Sequence, residues 1–197
     1  MTSKAQHTRN LQAAGLPTLN TLVARIESTF KRATKSDVES GASWYLEAQD
    51  LARNLGATSG HGLQHAAAVI SHLSPRTTWT RNVAGAITLL TYGERHDGIL
   101  SANYDRARAS LDYSDPIDSF GGPKTRRFYL NIAGDTEAVT VDVWALRVVG
   151  LDDSTIGRKG VYDAIEAAYQ IAARNHGVTP STMQATTWIV ARSGRAK

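Results

Sequence analysis

The chain has 197 residues, 42% of them hydrophobic and 20% charged, with a formal net charge of +4 and no cysteine. That balance describes a globular protein of one domain, or of two small lobes built as one unit, and not a disordered chain. Without cysteine, disulfides, thiolate zinc sites and cysteine-held iron–sulfur clusters are excluded, which suits a cytoplasmic setting. No apolar run approaches the roughly 20 residues a bilayer crossing needs, so no membrane partner is expected, while the modest basic excess permits a polyanionic one.

Taken in order, Met1 to Asn10 is polar and lacks the apolar core of a signal peptide. A helix is predicted after Pro17-Thr18, with Leu19, Leu22, Val23, Ile26 and Phe30 at helical spacing. Lys31 to Ser40 reads as a polar connection. Trp44, Ala48, Leu51 and Leu55 predict a second helix closed by Gly56, and Thr58 to Gly62 a loop. Leu63, Ala66, Ala67, Ile70 and Leu73 make a third helix, ended by Ser74-Pro75 because proline disfavours helix at the residue before it. Val83, Ile87 and Leu90 support a fourth, and Asn103 to Leu111 a short one.

Asp112 to Pro123 is rich in turn residues. A helix follows from Pro123, and the β-branched alternation of Ala138 to Val143 allows either helix or strand. Val161, Ile165, Ala168, Tyr169 and Ala172 form a helical stripe ending near Gly177. Thr179-Pro180-Ser181 starts a last helix, because proline suits the first turn and threonine caps it. A basic tail, Arg192 to Lys197, reads as a solvated terminus. The fold class expected is all-α, with eight to ten helices.

Two features carry chemistry. Phe120-Gly-Gly-Pro-Lys-Thr125 places Lys124, Arg126 and Arg127 at a helix N-terminus, where unpaired N–H groups and a partial positive charge suit a phosphate. Beyond it a single carboxylate, Asp142, is set between Val141 and Val143. Each has a plainer reading: Asp142 as the cap of a helix beginning at Val143, Lys124 as a phosphate contact only. His61 and His65 stand one helical turn apart without a supporting acid, so they read as ordinary histidines and no metal is expected. The four tryptophans read as core.

Together these residues resemble the helix-hairpin-helix (HhH-GPD) DNA glycosylase superfamily, the endonuclease III-like enzymes. Gly121-Gly122-Pro123-Lys124-Thr125 takes the place of that family's hairpin, Val141-Asp142 that of its acid, and Arg147 follows; the interval from Lys124 to Asp142 matches the family's catalytic pair. Ala68 to Thr78, followed by Asn82-Val-Ala84, is similar to the segment that inserts a polar residue into the DNA stack, with Arg76 at that position. The departures are the displaced hairpin proline, Val143-Trp144 where a histidine is usual, and the missing cysteine cluster.

The resemblance implies a single unit over 1–197 with two helical lobes, 60–135 carrying the hairpin and 1–59 plus 136–197 the other, and a cleft between them. It implies an N-glycosylase, with or without lyase activity, acting as a monomer on a base flipped from double-stranded DNA, without a cofactor. Asp142 and Lys124 would be catalytic. Arg76, Thr78, Gly121, Gly122, Thr125, Arg126 and Arg127 would hold DNA, with Trp79 and Trp144 the candidates for the base pocket. Two alternatives stand beside it: a transferase that hypermodifies thymine derivatives, as in related viral (phage) enzymes, and a non-catalytic DNA- or protein-binding module.

Overall fold

The computed structural model describes residues 3–194, and these are all-helical, with no strand among them. They divide into two compact units: the chain up to Trp44 joined to the chain from Thr136, and the continuous segment Tyr45–Asp135. The lobes implied by the resemblance put the first boundary between residues 59 and 60. It falls instead inside a helix, between two aromatic residues with different partners. Trp44 packs against Trp188 at 5.5 Å between ring centroids, and Tyr45 meets Phe128 edge-on at 6.3 Å.

In the first unit, α1 (Lys4–Ala13) starts on a Ser3 cap and buries His7 and Leu11, so the polar opening of the chain is helical. Its burial of only two residues explains why no helical stripe is visible there. Helix α2 (Leu19–Phe30) is capped by Thr18 and buries Leu22 and Ile26 completely. Helix α3 (Lys35–Ser59) begins well before Trp44, because Thr34 and Asp37 cap it reciprocally: the Thr34 N–H donates to Asp37 Oδ2 (2.7 Å) and the Asp37 N–H to Thr34 Oγ1 (3.2 Å). The expected connection Lys31–Ser40 is therefore largely helix. Nor does Gly56 end α3, since it is a point of close approach to the backbone at Gly62.

The second unit takes the rest of α3 and adds α4 (Gly62–Leu73), α5 (Trp79–Tyr92), α6 (Ser101–Ala109) and α7 (Pro123–Ala133), with one-turn 3-10 helices at Ser110–Asp112 and Pro116–Ser119. Every residue of α4 from Ala66 to Leu73 is buried, as expected of a helix surrounded by others. Ala48, Ala52, Ala66 and Ala67 let the neighbouring helices come close, and Ile70, Leu73, Leu89, Phe120 and Ile132 fill the remaining space.

The chain then returns to the first unit through an extended stretch, α8 (Val143–Val148), α9 (Val161–His176) and α10 (Pro180–Arg192). Its core joins Leu22 and Ile26 of α2 to Leu146, Ile165, Tyr169 and Met183, all essentially inaccessible to solvent. Each such side chain contributes about 1.5–3 kcal/mol by leaving water. Of the basic tail, residues 195–197 lie outside the described residues; Arg192 packs its guanidinium over Trp188 at 4.6 Å. No described helix is long and apolar enough to cross a membrane.

Candidate functional site

The Gly-Gly-Pro turn opens α7. Gly122 stands at the N-cap in extended conformation (φ −124°, ψ 146°), with no side chain capping the helix, and Pro123 occupies the first turn. Neither glycine has a positive φ, and a Cβ on Gly121 or Gly122 would meet nothing within 4 Å. Their value is therefore not conformational: they leave the first N–H groups of α7 open to a ligand. Lys124 and Arg126 are exposed here, while Arg127 and Thr125 are half-buried, the Thr125 hydroxyl 3.5 Å from the Gly122 carbonyl.

A residue the sequence reading passed over holds this turn in place. His72, buried near the end of α4, stacks on Phe120 with centroids 4.2 Å apart and planes 6° from parallel. The Ser119 hydroxyl donates its one hydrogen to the Pro116 carbonyl (2.6 Å), so its oxygen must accept from His72 Nε2–H (2.8 Å). Burial, with the nearby positive charge of Arg106, pushes the His72 ring down to about 4 from its ordinary 6.5. The only sequence signal is a histidine inside the apolar run Ala66 to Leu73.

The sign of the resulting pH effect follows directly. The folded ring resists a proton that the unfolded ring accepts below about pH 6.5, so the contribution is intact above that value. Stability is expected to fall by on the order of 2 kcal/mol as pH drops from 6.5 to 4, measured by urea unfolding. The slope should flatten in His72→Gln.

Just beyond His72 the chain makes a tight turn. The Thr77 N–H donates to the Ser74 carbonyl (3.2 Å), Pro75 takes the second position, and Arg76 takes the third with φ +59°. That is a type II arrangement, whose third position favours glycine or asparagine. Arg76 is the one non-glycine residue with positive φ among the described residues. Buried Asn103 braces the turn, donating from Nδ2 to the Pro75 carbonyl (2.8 Å). Arg76 itself is exposed. His72 thus joins two expected site segments, Arg76 and Gly121–Arg127, at the α4 C-terminal end of one unit. Thr78 caps α5 by accepting from the Arg81 N–H, and half-buried Trp79 packs against the unit's core.

The acid belongs to the other unit. The stretch before it is neither helix nor strand: its backbone groups pair with side chains of α9. The Val139 N–H donates to Glu166 Oε1 (3.1 Å) and the Val141 N–H to the Tyr162 hydroxyl (3.1 Å), which in turn donates to the Val139 carbonyl (3.0 Å). The alternation that allowed a strand supplies the extended backbone, and α9 supplies partners that a neighbouring strand would otherwise offer. Asp142, half-buried, then caps α8: its Oδ1 accepts from the N–H groups of Trp144 (3.0 Å) and Ala145 (2.9 Å). Trp144 packs on this unit's core, and the Arg147 guanidinium sits 4.4 Å from its ring centre. One face of this base-pocket candidate is thereby covered.

The second unit also has a cavity the sequence did not foretell, about 580 Å³, at the other end of the antiparallel α4–α7 pair. Leu63, Gln64, Asp115, Tyr129 and Asp135 are among its lining. His61 and His65 line it too, with rings 6.5 Å apart, and His65 donates from Nε2 to the Tyr113 carbonyl (3.0 Å).

No curated protein and no solved structure matches the chain at a significant level. A family model does match, over residues 8–195, and on that match the chain belongs to the family of unknown function DUF7178.

Proposed function

We propose that the protein is a DNA-base enzyme of the helix-hairpin-helix glycosylase type, an N-glycosylase acting on a base flipped out of double-stranded DNA. The observation that carries this reading is the α4 end of the second unit. There an uncapped, cation-bearing helix start is tied through His72 to an arginine held in a left-handed conformation. Backbone strain of this kind gathers where a side chain has work to do. The two-lobed architecture implied by the resemblance is part of the proposal, supported by the all-helical chain and the Gly-Gly-Pro start of α7.

In this reading the phosphate backbone is held by the N–H groups behind Gly121 and Gly122, with Lys124 and Arg126 meeting its charge. Arg76 fills the space left by the flipped base. Breaking the C1′–N bond leaves the electron pair on the base and positive character on the sugar, which the Asp142 carboxylate stabilises. Water then adds at C1′ and gives up its proton to the departing base. Alternatively the neutral Lys124 amine adds there, the C1′–O4′ bond opens with its electron pair and a proton going to O4′, and the resulting Schiff base permits elimination of the 3′ phosphate, which cleaves the strand.

Incubating the protein with duplexes carrying uracil, oxidised pyrimidines, alkylated purines or hydroxymethyluracil is expected to give abasic sites on at least one. Borohydride trapping reports the lysine, and its loss in Lys124→Ala alone assigns that residue. A protein that shifts DNA with steep salt dependence but releases no base from any of these overturns the enzymatic reading. For Arg76→Asn, which suits the third turn position, a gain of about 1 kcal/mol in unfolding free energy is expected. Base release should fall at the same time. A variant that gains stability and keeps full activity would show that Arg76 has no part in the site.

A further inference from the structure

The geometry points to a separate ligand site in the Tyr45–Asp135 unit, the cavity between the first turn of α4 and the last turns of α7, fitted to a small organic cation with an apolar body. At about 580 Å³ it is the size of ordinary small-molecule sites. It lies away from the glycine turn: Phe120, just before α7, stacks on His72 at the end of α4, whereas Tyr129, further along α7, reaches Gln64 in the first turn of α4. The inference therefore stands apart from the reading of Gly121–Arg127 as a DNA contact.

Charge decides the class of ligand. The protein carries +4 overall, yet the cavity lining includes Asp115 and Asp135 and neither lysine nor arginine. An anion gains nothing there, while a cation is attracted and held by walls of low polarity. The field is felt inside: the Tyr129 hydroxyl is pushed up to about 12, first by burial and then by the negative charge of Asp115.

Hydrogen bonding agrees with charge. Asp115 is fixed by accepting the Ile117 N–H at Oδ1 (3.0 Å), and a carboxylate has further lone pairs to offer. Tyr129 donates to Gln64 Oε1 (2.7 Å), so its own oxygen is left as an acceptor. His65 uses its Nε2–H on the Tyr113 carbonyl, so the neutral ring has its lone pair at Nδ1. Asp115, Tyr129 and His65 thus offer acceptors, and an ammonium group has three donors and no acceptor. Leu63, Ile117 and Leu130 supply an apolar wall for a hydrocarbon body.

Titration of the full chain with phenethylamine, phenylethanol and phenylpropionate, followed by calorimetry and NMR, tests this at neutral pH. The amine is expected to bind at least about tenfold more tightly than the alcohol, and the carboxylate not at all. Asp115→Asn keeps an oxygen to accept from Ile117. It should lower amine affinity about tenfold with an unchanged unfolding midpoint. Lys124→Ala should leave amine affinity as it is. Equal binding of amine and alcohol, wild-type affinity in Asp115→Asn, or no binding of the amine at millimolar concentration would overturn the assignment.

Discussion

If the protein is the glycosylase we propose, replacing Asp142 by asparagine is expected to lower base release by about a hundred- to ten-thousandfold, the range for removing a charge-stabilising or acid–base group. Stability should stay within about 0.5 kcal/mol of the parent. Under the proposed function the two effects separate, because the charge and the capping oxygen of the side chain would serve different ends. As a cap it needs only an oxygen at the position of Oδ1, which accepts from Trp144 and Ala145, and asparagine is as good a cap as aspartate. As the charge partner for the sugar that we propose, it would need the carboxylate. Alanine removes both, so Asp142→Ala should add a stability loss of about 1 kcal/mol. The approach to Asp142 is held by Tyr162 and Glu166, so neither substitution removes the bonds that fix the preceding backbone. Denaturant unfolding and a base-release assay on the same preparations read the two effects apart. Full activity in the asparagine variant would reduce Asp142 to its capping role.

Gly56→Ala should run against the usual rule. Within an exposed helix, alanine is favoured over glycine by about 1 kcal/mol. In α3 the added Cβ would press on the backbone of Gly62 and lie 2.8 Å from the Leu63 nitrogen. Backbone cannot rotate aside as a side chain does, so one of the helices must shift. We expect a net destabilisation of roughly 3 kcal/mol in urea unfolding, the upper end of ordinary overpacking. An unchanged or raised midpoint would mean that the α3–α4 corner relaxes freely.

The sequence speaks clearly where a stripe is wide. Leu19 to Phe30 and Val161 to Ala172 repeat apolar residues over several turns, and both are helices whose stripes form the first core. It speaks weakly where a helix is held by something other than its own apolar face. Lys35 to Ser40 is polar, and its helix is secured by the Thr34–Asp37 cap and by residues further along. Gly56 reads as a stop because a glycine needed for close packing looks the same in sequence as one that ends a helix. The Asp142 cap was legible, since an acid before a hydrophobic run is a helix-start signal. The links that position the candidate residues were not. His72 under Phe120, Asn103 under Pro75 and Tyr162 under Val139 each join residues far apart in the chain, and no local pattern records such a pairing.

The division of the chain inside α3 bears on how the protein is made. The Tyr45–Asp135 segment is continuous and holds its own core, so it can close soon after its last helix leaves the ribosome. The flanking unit has no such option. Leu22 and Ile26 precede that segment in the chain, yet they pack against α9 and α10, whose Ile165, Tyr169 and Met183 follow it. While the intervening segment is made the apolar face of α2 waits without those partners, so its burial is expected to follow the closing of the Tyr45–Asp135 core.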